Sequence, residues 1–152
     1  MKPPAAKADF VLENLRIWVH SRQFPDATDH WDANWLNITA RYEGQSGKVE
    51  VRGPELDTVS FLRFHRELVA MADTLVGEAT LESVEPSLKL TMRFSDRLGH
   101  IAARLELTPN NLSEGHWFEL DGLDQSHLAG LIGQLKNVVD RYPVQQSAAR
   151  GV

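Results

Sequence analysis

Apolar residues in this chain recur at two different periods, and the segments that show each period do not mix. Leu15, Ile17 and Val19 alternate with Arg16, Trp18 and His20. That is the mark of a strand with one buried face, because successive strand side chains point to opposite sides. The alternation returns at Leu36, Ile38, Ala40 and Tyr42, at Val49 and Val51, and at Ala79 and Leu81. It returns again at Leu88, Leu90, Met92 and Phe94, at Ile101, Ala103, Leu105 and Leu107, and at His116, Phe118 and Leu120. Two segments instead follow the helical period. Phe61, His65, Leu68, Ala72 and Leu75 follow Asp57, and Leu128, Leu131, Ile132, Leu135, Val138 and Val139 follow Asp124. Each aspartate stands where a carboxylate accepts the unpaired first-turn N–H groups of a helix. Helices segregated from runs of strands predict an α+β fold, not a βαβ one. The expectation is an antiparallel sheet of about seven strands in the order βββ-α-ββββ-α, with both helices packed on one face.

Breakers set the predicted boundaries. Gly44 and Gly47 bracket a hairpin turn, Gly53-Pro54 ends the third strand, and Gly77 terminates a helix running from about Thr58 to Val76. Leu131 and Leu135 are expected to pack on the face formed by Leu90, Met92, Ala103 and Leu105, and a change of Gln134 beside them is expected to have little effect. With 152 residues the chain suits one core, placed at 9–143 between disordered tails at 1–8 and 144–152.

The absence of cysteine removes disulfides, thiol nucleophiles and thiolate metal sites together. No apolar run approaches the length needed to span a bilayer, and Lys2 and Lys7 have no apolar segment behind them. A cytoplasmic protein without a membrane partner is expected. A P-loop, a glycine-rich dinucleotide turn, a nucleophile elbow and a two-histidine zinc helix each impose a spacing that is not met. The reading is therefore non-enzymatic, although acids from distant segments could still meet in space. His65 falls on the apolar stripe of its helix, as a hydrogen-bonded boundary histidine does. Asp26, Asp29 and Asp32 form a weak candidate cation loop, but they lack the alternating ligands and central glycine of a calcium loop. Aspartates are equally at home in turns. No metal and no cofactor is expected.

The net charge of -5 is sorted by segment. No Lys or Arg falls between Arg22 and Arg41, between Arg66 and Lys89, or between Arg104 and Lys136. The outward strand positions, in contrast, collect Arg16, Arg41, Lys48, Arg52, Lys89, Arg93 and Arg104 with Trp18, Trp35 and Trp117. Basic groups interleaved with aromatic rings suit a single-stranded nucleic acid or another anionic ligand. Trp18, Trp35, Arg41, Arg93, Arg104 and Trp117 would form that site. The ordinary alternative is a solvated antiparallel face with cross-strand ion pairs.

Several short motifs resemble the WapI-type immunity family of bacterial polymorphic-toxin systems. They are Asp32-Ala33-Asn34-Trp35-Leu36 opening a strand, Glu85-Pro86-Ser87-Leu88 before another, and Gly99-His100-Ile101. Asp124-Gln125-Ser126-His127-Leu128 opens the last helix, which closes on Tyr142-Pro143. The likeness runs in element order from Leu15 to Pro143. It implies a cytosolic protein that caps a toxin, often a nuclease, whose phosphate-gripping surface is basic. An acidic patch would complement that surface and speed association. The stretches without basic residues offer Glu114, Glu119, Asp121, Asp124, Glu78, Glu82 and Glu85 for it. The resemblance carries no binding residues of its own and leaves the oligomeric state open.

Overall fold

A computed structural model describes residues 6–110 and 112–146. The chain runs β1 (Phe10–Leu12), β2 (Leu15–Arg22), α1 (His30–Ala33), β3 (Trp35–Glu43), β4 (Lys48–Asp57) and α2 (Thr58–Thr74). It continues through β5 (Glu78–Glu82), β6 (Leu88–Phe94), β7 (His100–Asn110) and β8 (Glu114–Asp124). A single 3₁₀ turn (Gln125–His127) then leads into α3 (Leu128–Arg141). The class is α+β with antiparallel pairing throughout.

The single seven-stranded sheet is not what forms. There are two four-stranded sheets, ordered β1-β2-β3-β4 and β5-β6-β7-β8. β4 ends on Asp57, which is also the N-cap of α2, so the helix leaves from the strand's last residue and the next strands begin a new sheet. Each sheet has one apolar face, and two such faces bury each other with the helices in one contiguous core. β4 lies against β7, and the Tyr42 ring of β3 stacks on Phe118 of β8 with centroids 3.8 Å apart. α2 packs on α3 and along β5, while α3 touches β1. The two-helix, one-face layout is replaced accordingly, and the short α1 adds a third helix. The closest backbone approaches of α3 are to α2 and β1, and its Leu131 and Leu135 share one buried core with Leu90, Met92, Ala103 and Leu105.

Local differences have local causes. β4 does not stop at Gly53-Pro54 but passes through a bulge that moves the register between Leu36↔Leu56 and Ile38↔Gly53. Gly53 takes φ +122 there, and Pro54 is tolerated because β4 is an edge strand. The buried stripe of α2 is Phe61, Phe64, Leu68 and Met71. His65 is only half buried and Ala72 and Leu75 are exposed, because the larger Phe64 wins the inward position one residue earlier. Leu75, not Gly77, is the left-handed C-cap (φ 59), and its N–H donates to the Met71 carbonyl. β1 is three residues long, too short for a periodic signal to register.

The expected tails lie largely outside the described residues. Of their described part, the Ala6 carbonyl accepts from Trp18 Nε1, and Gln145 exchanges hydrogen bonds with the Asn34 side chain. Among the described residues no helix is long and apolar enough to cross a membrane.

Candidate functional site

On the outer face of the second sheet, antiparallel register places side chains in rows across the strands. One row runs Glu82–Lys89–Glu106–Trp117, the next Thr80–Thr91–Arg104–Glu119, and a third begins Glu78–Arg93–Ala102. Each basic residue thus has an acid as cross-strand neighbour. Arg104 Nη1 lies 3.3 Å from Glu119 Oε1, and its guanidinium covers the Trp117 ring at 4.5 Å. With Glu78, Glu82, Glu106 and Glu119 against Lys89, Arg93 and Arg104, the face is not basic.

The other half of the proposed basic face belongs to the first sheet. Trp18 is only 6% exposed, with Arg41 over its ring at 4.9 Å and its Nε1 donating to the Ala6 carbonyl at 2.8 Å. Arg41 Nε is 2.6 Å from Glu50 Oε1, and Arg52 Nη2 is 2.7 Å from Glu50 Oε2. Burial pushes the Glu50 carboxyl up, but hydrogen bonds and charge from Arg41 and Arg52 outweigh it and hold the group below its ordinary range. Trp35 opens β3 half buried, opposite Asp57. Since both inner faces look into one core, the two outer faces look away from each other. Trp18 and Arg41 therefore do not share a surface with Arg93, Arg104 and Trp117. Single-stranded oligonucleotides titrated at low salt are expected to leave tryptophan fluorescence unquenched. A saturable quench at micromolar protein would restore the nucleic-acid reading.

The acidic candidates fall into two groups at opposite edges of the second sheet, about 14 Å apart across three strand spacings. Glu78 and Glu82 lie on β5, with Glu85 in the turn that follows. Glu114, Glu119, Asp121 and Asp124 all lie on β8, which carries no Lys or Arg. Glu114, Glu119 and Asp121 are exposed, as is Trp117 at 59%. Glu114 Oε1 is 2.6 Å from His116 Nε2. Asp124 is occupied in capping the 3₁₀ turn that leads into α3. Its carboxylate accepts from the Ser126 N–H at 2.8 Å and from the Ser126 hydroxyl. Its own N–H donates to His127 Nδ1 at 3.1 Å, completing a capping box. The Ser126 bonds, with His127 nearby, hold the Asp124 carboxyl below its usual range.

On the inner side of β8, a cavity of about 410 Å³ opens between His116 and Phe118 on one wall and Tyr42, Val49 and the β3–β4 hairpin on the other. A second cavity, about 390 Å³, is lined by Trp31, Arg63, Glu82 and Val84 among others. Trp31 in it is 70% exposed. Periodicity could not single out Trp31, because it lies in the one-turn α1. Nor could it pair Tyr42 with Phe118, which are 76 positions apart in the chain.

The aspartate loop serves α1. Asp29 caps it, with Oδ1 accepting from the Trp31 and Asp32 N–H groups at 3.1 and 3.0 Å. Among the described residues no three His, Asp or Glu side chains converge as metal ligands.

Residues 11–143 match the profile of the Immunity protein WapI-like family. No curated protein matches the chain.

Proposed function

The chain belongs to the Immunity protein WapI-like family, and from that premise we propose that it acts without catalysis, by binding a basic protein toxin through the acidic strand β8. Family membership implies the toxin-neutralising role. The choice of surface rests on one observation, that three exposed acids and an exposed tryptophan stand together on a strand with no basic residue. Acidic charge raises the rate of encounter with a basic partner, and rim charges act mainly on that rate. Trp117 supplies the kind of large side chain that anchors protein interfaces. The ion pairs of Glu119 with Arg104 and of Glu114 with His116 are exposed and weak, so both acids remain available to a partner.

The test is association with a toxin domain encoded beside this chain. Joint Glu114→Lys, Glu119→Lys and Asp121→Lys should slow association by about 10- to 100-fold at low salt and flatten its salt dependence. Asp124 is left intact because its change would disturb α3. Unchanged kinetics would remove β8 from the interface and leave the acids at Glu78, Glu82 and Glu85 as the next surface to reverse.

A further inference from the structure

An edge strand presents unpaired backbone N–H and C=O groups, and folded proteins cover or blunt them. Here the outer edges are treated unequally. The outer backbone of β1 is met by a side chain from α3: Val11 N–H donates to Gln134 Oε1 at 2.6 Å, and Gln134 Nε2 donates to the Val11 carbonyl at 3.5 Å. The edge of β5 is met from α2, where Glu67 Oε1 accepts from the Thr80 N–H at 3.1 Å. β4 lies against β7 of the other sheet. β8 is left open. Among the described residues, no hydrogen bond from outside β7 reaches the backbone of residues 115–123. Its eleven residues span about 37 Å of template.

The flanks of that edge state what it would accept. Alternate side chains of an added strand point to the two sides of the sheet. On the outer side they would meet Trp117, Glu119 and Asp121. On the inner side they would enter the cavity walled by Tyr42, Val49, His116 and Phe118. A second copy of β8 is a poor occupant, because antiparallel self-pairing brings acids opposite acids, and like charges directly opposed destabilise a pair.

We propose that the open edge of β8 is a strand acceptor, to which the toxin adds an extended segment as a fifth strand of the second sheet. Resting on the immunity reading above, this assigns the segment a pattern: apolar residues toward the Tyr42–Phe118 cavity, alternating with Lys or Arg toward Glu119 and Asp121. Backbone pairing would supply affinity, and the cavity and the acids would supply register.

The test uses the full chain and three synthetic ten-residue peptides. One alternates lysine and valine, the second is its fully N-methylated counterpart with no backbone donors, and the third alternates glutamate and valine. Amide hydrogen exchange is read across residues 115–123. The lysine–valine peptide should slow the outward-facing β8 amides at least ~10-fold, while the other two should give no protection. Equal protection by the N-methylated peptide would overturn strand addition and leave an acidic contact surface standing. Protection that grows with protein concentration and needs no peptide would overturn it in favour of a second copy. No protection by millimolar lysine–valine peptide at low salt would also overturn it. The immunity reading fails separately, by unchanged toxin association in the charge-reversed variant.

Discussion

Leu135→Ala is expected to lower the melting temperature by roughly 10 °C. Leu135 is fully buried in α3, the helix that closes the core against α2 and β1. Truncating a buried leucine costs about 2 to 5 kcal/mol, from the lost transfer energy and from the cavity left behind. For a chain of this size each kcal/mol moves the midpoint by about 2–4 °C. Gln134→Ala is the informative partner. By helical position Gln134 faces away from the stripe and should be silent. In the structure its amide holds the backbone of Val11, so about 0.5–1.5 kcal/mol should be lost. Thermal unfolding followed by circular dichroism separates the two. Equal losses would mean that the inward face of α3 is misassigned, and no loss for Gln134→Ala would mean that the β1 edge needs no cover.

The second large effect is expected on the outer face of the first sheet. Glu50→Ala should cost about 3 kcal/mol, because removing one partner of a largely buried pair strands the other charge. The Arg41 and Glu50 side chains are 13% and 17% exposed, and Arg41 already has one buried nitrogen, Nη2, without a hydrogen-bond partner among the described residues. Glu50→Gln keeps an acceptor and should cost less. The effect carries a pH signature. Because the folded carboxyl titrates below its ordinary value of 4.5, the folded protein binds fewer protons than the unfolded chain in the interval between the two pKa values. Glu50 therefore contributes its full stability above pH 4.5, and loses it as pH falls through the depressed folded value. Urea unfolding at pH 7 and near pH 3 should show the gap between wild type and Glu50→Gln closing in acid. A gap independent of pH would assign the role of Glu50 to packing.

What the sequence determined by itself is the set of local choices. Alternation at Leu15–Val19, Leu36–Tyr42, Leu88–Phe94 and Ile101–Leu107 specified strands and their inward faces, and each of these inward faces is in or against the core. Asp57 and Asp124 marked helix starts because capping is a contact over two or three residues. The likeness of short motifs to the WapI-type family agreed with the match over residues 11–143.

Tertiary structure decided everything that depends on which apolar face meets which. Periodicity says that a strand has a side to bury, but not whether that side is covered by a helix or by another sheet. The pattern that predicted one seven-stranded sheet therefore served two sheets face to face equally well. That one choice turned the supposed basic surface into two faces looking apart, covered Trp18, and neutralised Lys89, Arg93 and Arg104 with acids from neighbouring strands. It also set Tyr42 against Phe118 and left the acidic strand β8 as an edge. The charges were legible in the chain because charge is a property of a residue. Their neighbours were not, because cross-strand register links positions that hydrophobic burial brings together only after the sheets have found each other.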